Sequence, residues 1–101
     1  MRLNSKNYFS MKDLITRNYA SIVKRGYITP ATTGFRFLMK LVEEVNEVNE
    51  EEFLMRNNQP HKLGEELADV ILTALNFAHH FDINIEKELI KKIEKNEKRK
   101  D

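Results

Sequence analysis

The stretch KLVEEVNEV at residues 40–48 returns as KLGEELADV at 62–70, with the lysine, the leucine, a pair of glutamates and the closing valine at matching places. In each copy an acid stands three positions after the second glutamate. At 100° per residue, Leu41, Val45 and Val48 form an apolar stripe with Glu44 and Glu47 beside it, and Leu63, Leu67 and Val70 bear the same relation to Glu66 and Asp69. Two such segments, packed antiparallel along their stripes, bring four carboxylates together along one edge of the seam. Carboxylates at close range repel, and they ionise together cheaply only with a cation between them. The repeat therefore predicts a helical pair built around a metal, and all-oxygen ligation points to Mg²⁺ or Mn²⁺.

The remaining periodicity is helical as well. Ser10 is a good N-cap with Asp13 three residues on, and Gly26 suits the position that ends the first helix. Leu14, Ile15, Ile22 and Val23 are its expected apolar side. Thr29-Pro30 or Thr32-Thr33-Gly34 starts a second helix, which passes through Phe37, Leu38 and Leu41 and ends near Arg56-Asn57-Asn58. Pro60 is expected in the first turn of a third helix that runs to about Phe81, and the short link makes the two antiparallel neighbours. Asn84 caps a fourth helix carrying Ile85, Leu89, Ile90 and Ile93, before a charged tail from Lys95. No segment sustains strand alternation. The expectation is an all-α, four-helix bundle-like fold in a single domain spanning 1–101.

Charge is segregated along the chain. Residues 1–40 carry eight basic groups and one acid, residues 41–86 two against eleven, and residues 87–101 seven against four, giving blocks of +7, −9 and +3. That order suits a polyanion bridged by metal on one side and held by lysine or arginine on the other. The central acidic block opposes a continuous track for nucleic-acid phosphates, so no nucleic-acid partner is expected. Without cysteine the chain has no disulfide, zinc-thiolate site or thiol chemistry. The N-terminal MRLNSKNYFSMKDL lacks the apolar run of a secretory leader and no stretch is apolar enough to span a bilayer. A cytoplasmic protein with no membrane partner is the expectation. His79 and His80 are adjacent, hence about 100° apart on a helix and poorly placed to share a metal. His61, beside Pro60, reads as a surface residue, and Glu50, Glu51 and Glu52 as a solvated face.

An EExxE element at Glu43, Glu44 and Glu47, followed after 18 residues by ExxD at Glu66 and Asp69, resembles the signature of the MazG-like all-α nucleoside triphosphate pyrophosphohydrolases. This superfamily includes dCTP pyrophosphatases, dimeric dUTPases and phosphoribosyl-ATP pyrophosphohydrolases. The stretch Lys92-Ile93-Glu94-Lys95-Asn96-Glu97-Lys98-Arg99 is similar to the K-h-x-x-N-x-x-R element that follows the metal site in these sequences, so the likeness covers roughly residues 10–99. It implies a MazG-type fold, with hydrolysis between the α and β phosphates of a nucleotide to a monophosphate and pyrophosphate. Glu44, Glu47, Glu66 and Asp69 take the metal-binding and catalytic positions, with Glu47 the candidate for contacting the attacking water. Glu43 is not acidic in every branch. Lys92, Asn96 and Arg99 are implied to contact phosphate or help close the site.

Phosphoanhydride hydrolysis needs charge neutralisation, a positioned water and in-line geometry, and no covalent nucleophile from the protein, which this inventory of residues can meet. The chain has no tryptophan to stack on a base. Tyr8, Phe9, Tyr19, Tyr27, Phe35, Phe37 and Phe77 are the aromatic substitutes, most of them expected in the core. Apolar helix flanks left over by so small a chain predict a homodimer or a dimer of dimers, with the site near a subunit interface. The preferred reading is metal-dependent house-cleaning of surplus or non-standard (deoxy)nucleoside triphosphates. Its alternatives are a phosphoribosyl-ATP pyrophosphohydrolase and a non-catalytic helical module that binds a nucleotide or a protein.

Overall fold

The computed structural model describes residues 10–100; the Ser10 hydroxyl accepts the Asp13 N–H at 3.1 Å to start α1, Met11–Lys24. Tyr8 and Phe9 lie outside the described residues. Gly26 closes α1 at φ +83°, where its N–H reaches the Val23 carbonyl and the Tyr27 N–H reaches that of Ile22. This is a Schellman closure, which needs a left-handed residue and therefore favours glycine. The chain then turns to α2, Gly34–Arg56, capped by the Thr33 hydroxyl, so the Thr32-Thr33-Gly34 cluster and not Thr29-Pro30 supplies the start. The same closure recurs with Asn58 (φ 59°) after α2 and Asp82 (φ 56°) after α3, Leu63–His80. Asn84 accepts from the Lys87 N–H to open α4, Ile85–Glu97.

Pro60 falls outside α3. The helix begins three residues later, because the groups that satisfy its entry lie there: the Glu51 carboxylate accepts the Lys62 N–H at 2.6 Å and His61 Nδ1 accepts the Leu63 N–H. His61 is exposed as expected, whereas Glu51 and Glu52 are half-buried, Glu51 at this cap and Glu52 in an ion pair with Arg56.

The described residues form four helices and no strand, so the fold is all-α as the sequence predicts. Helices α2 and α3 share the most extensive interface, and α1 and α4 each lean on α3. Their pairing is antiparallel: Phe37 lies against Phe77 and Phe81, Glu44 against Glu66 and Asp69, Glu51 against Lys62. Phe37 is buried and stacks on Phe77 with centroids 5.2 Å apart, and His80 and Phe81 complete an aromatic cluster at this end of the pair. Such ring contacts add to the apolar burial that holds the helices together.

Two expectations about the apolar faces need correction. Leu14 and Val23 are exposed, because α1 meets its neighbours along Ile15, Asn18, Tyr19 and Ile22, and residues one position off that stripe turn outward. Val45 and Leu67, assigned to the seam, are likewise exposed, at 50% and 45%. The inner face of α2 runs instead through Phe37, Leu41, Glu44 and Val48, with spacings of four, three and four residues. Glu44 thus lies within the seam and not along its edge.

Candidate metal centre

Glu44 is 5% exposed, a carboxylate among the few residues this chain buries. The helical phase that brings Phe37 and Leu41 inward carries Glu44 with it, and the facing turn of α3 offers Glu66 and Asp69 at the same level. One carboxylate oxygen from each of Glu44, Glu66 and Asp69 lies within 4.8 Å of the others, and Glu43, Glu44 and Glu47 form a second such group. Glu44 belongs to both. It stands between two places where oxygens from three side chains converge, while Glu43 contributes from an exposed position.

The hydrogen-bond inventory of these oxygens is incomplete. Oε2 of Glu44 and Oε2 of Glu66 are buried with no hydrogen-bond partner, a costly arrangement for a carboxylate unless a cation supplies the missing interaction. Lys40 meets part of the demand, with Nζ 3.0 Å from Glu44 and 3.5 Å from Glu43, and its own pKa is raised, chiefly by the hydrogen bond to Glu44. The first residue of the repeated KLVEEVNEV phrase thus serves as an internal counterion. The Glu66 carboxyl is pushed up to about 7 by a hydrogen bond shared with Glu47, by desolvation, and by the negative charges of Glu47, Asp69 and Glu44. Hard oxygen donors, convergent within a few ångströms and short of partners, fit a divalent ion of the Mg²⁺ or Mn²⁺ type.

Of the other residues singled out from the sequence, Lys92 and Asn96 are exposed on α4, and Arg99 follows two residues after its end. Among the described residues no ion pair joins Lys92 to the acidic cluster, which draws its lysine from within α2 instead. His80 is structural. Its Nε2 contacts the Thr32 carbonyl at 2.8 Å and its Nδ1 the Tyr19 hydroxyl at 2.7 Å, so in the Nε2–H tautomer the ring donates to the first and accepts from the second. Both nitrogens are engaged, and His79 packs edge-on to Tyr19.

Sequence reasoning missed a cavity of about 550 Å³ between α1, the α1–α2 connector, α2 and α3. Glu43 and Lys40 line it at the acidic cluster, and Arg25, Arg36 and Tyr27 line it elsewhere, with Ile22, Ile28, Phe37 and Met39 as its apolar surface. The available signal was the excess of basic residues in 1–40, since all three cations come from that block. Tyr27 and Phe35, counted among aromatics expected in the core, are each 69% exposed; Tyr27 stands at this cavity with the Arg25 guanidinium 5.7 Å from its ring centroid. A cavity of this size with cationic walls beside a carboxylate cluster can take a phosphorylated small molecule.

The model of the MazG nucleotide pyrophosphohydrolase domain matches residues 33–101, which takes in α2, α3 and α4 with both acidic elements. No curated protein and no solved structure matches the chain.

Proposed function

Because this chain belongs to the MazG nucleotide pyrophosphohydrolase family, we propose that it hydrolyses a (deoxy)nucleoside triphosphate to the monophosphate and pyrophosphate, with Mg²⁺ or Mn²⁺ held by Glu44, Glu47, Glu66 and Asp69. The observation that carries the reading is the buried Glu44, common to two convergent carboxylate groups and with one oxygen lacking any partner. Bound there, a divalent ion supplies neutralisation of phosphate charge and lowers the cost of deprotonating water. The chain's residues supply the rest. Glu47, half-buried on the same face one turn beyond Glu43, is the group we assign to orient the attacking water. Arg25, Arg36 and Lys40 are placed along the cavity to hold the triphosphate, Lys40 from a position where it also reaches Glu44. Lys92 and Asn96 from α4, and Arg99 just beyond its end, are proposed to reach phosphate.

A second copy of the chain completes this picture. Leu38, Val42, Val45 and Phe53 on α2, Leu67 and Ile71 on α3, and Leu89, Ile90 and Ile93 on α4 are all exposed. Apolar side chains in such number along three helices are covered in a homodimer or a dimer of dimers, with α4 as one of the elements that meets the partner. Sedimentation at micromolar concentration tests this, and a monomer contradicts it. Among the described residues no helix is long and apolar enough to cross a membrane, and we place the enzyme in the cytoplasm with the nucleotide pool it acts on.

The decisive assay incubates the protein with a panel of nucleoside triphosphates and Mg²⁺ or Mn²⁺ and separates pyrophosphate from orthophosphate. Pyrophosphate with the matching monophosphate is the expected product pair. Orthophosphate would mean that another bond is cut. Binding without turnover across the panel would replace the enzyme by a nucleotide-binding module.

A further inference from the structure

Asn76 is 7% exposed, buried on α3 at the wall of the cavity, and its Oδ1 accepts a hydrogen bond from Asn18 Nδ2 of α1 at 3.0 Å. With its acceptor engaged in this way, the Asn76 carboxamide is held in one orientation and has N–H donors to offer. Asp69, Thr73 and Asn76 follow one another at spacings of four and three residues, so they lie on one face of α3. Asp69 belongs to the carboxylate cluster, and Thr73 and Asn76 both line the cavity. Seven residues of helix place Asn76 about 10.5 Å along the axis from Asp69, a span comparable to that from the reacting phosphate through the ribose to the distal edge of a base. Ile28 and Phe37, both buried at the same cavity, give that end an apolar surface for the faces of a ring.

We infer that Asn76, oriented by Asn18, reads the distal edge of the nucleobase and selects bases with a carbonyl oxygen there, at position 4 of a pyrimidine or position 6 of a purine. The inference rests on the hydrolase reading for the placement of the phosphates. A base with an exocyclic amino group at that position sets donor against donor and leaves both unpaired in a desolvated site, which costs far more than a missing contact in water. The enzyme therefore favours dUTP over dCTP, and ITP over ATP, by about 10- to 100-fold in kcat/KM.

These two substrate pairs differ chiefly at the position in question, so they are the test. In N76D the carboxylate can still accept from Asn18 but offers an acceptor to the base, and both ratios fall by about the factor that separates the pairs in the parent. A parent enzyme indifferent to oxo and amino bases, or one that prefers the amino base, overturns the inference, as does a folded N76D with unchanged ratios. A second readout uses the parent protein alone: the assigned Asn76 side-chain amide resonances move on titration with dUMP and are unaffected by dCMP at equal concentration. Equal shifts with both, or none with either, overturn it even if N76D does not fold. Pyrophosphate from no nucleotide at all would remove the hydrolase reading, while the amide titration would still decide whether Asn76 reads a base.

Discussion

Replacing Glu44 by glutamine changes one buried atom from an unpartnered oxygen to an amide nitrogen, and the arrangement around it sets opposite signs with and without metal. In the metal-free protein Glu44 and Asp69 have oxygens within 4.8 Å. Two unit charges at that distance repel by roughly 3.5 kcal/mol at an effective dielectric of about 20. The variant removes this repulsion and part of the cost of burying a charge. It also weakens the Lys40 contact, but Lys40 is more than half exposed and such pairs contribute about 1 kcal/mol at most. With screening, E44Q gains about 1–2 kcal/mol in EDTA. A metal at 1,000 times its Kd stabilises the parent by about 4.1 kcal/mol. Loss of one ligand that weakens binding about 100-fold leaves the variant only about 1.4 kcal/mol of that stabilisation. The order of stability inverts, with E44Q above the parent in EDTA and below it in saturating Mg²⁺ or Mn²⁺. Urea unfolding followed by far-ultraviolet circular dichroism measures all four values. A variant less stable than the parent in EDTA, or an equal metal response in both proteins, refutes the reasoning and makes Glu44 an ordinary buried residue.

The carboxylates beyond Glu44 give a simpler outcome: Glu47→Gln and Asp69→Asn each remove most pyrophosphate release while the helical circular dichroism stays intact, and unchanged turnover in both would exclude them from the mechanism. The raised pKa of Glu66 sets a pH dependence for the metal-free protein. The folded state keeps a proton that the unfolded chain releases above 4.5, so this contribution is complete below 4.5 and is lost as pH rises through about 7. Urea midpoints in EDTA should therefore decline across that window, and adding metal should release protons within it, detectable by calorimetry in buffers of different ionisation enthalpy. Gly64 lies in the first turn of α3 with open space where a Cβ would stand, so Gly64→Ala should stabilise by about 0.5–1 kcal/mol in the same unfolding assay. A loss of stability there would mean that the flank is less open than it stands in this chain.

The acidic repeat determined a great deal before any coordinates. Spacing at the helical period is a local property, so the four helices, the caps at Ser10 and Asn84 and the glycine closure at Gly26 all follow from residues near one another in the chain, whereas the meeting of Glu44 with Glu66 and Asp69 needs α2 and α3 to pack. Which residue of a wide apolar stripe faces inward is a different matter. Val45 and Glu44 differ by one position, and only the docking of Phe37 against Phe77 rotates α2 so that the carboxylate is buried and the valine is exposed. Pro60 shows the same limit, since the start of α3 was decided by Glu51, eleven residues before the Lys62 N–H that it caps. The Asn18–Asn76 bond and the His80 bridge from Tyr19 to Thr32 join residues 48 to 61 positions apart, and the cationic cavity likewise draws its walls from distant segments. Periodicity specifies what a helix can bury. The rotation of each helix about its axis, and with it the surroundings of every side chain, is set by long-range packing that no local pattern contains.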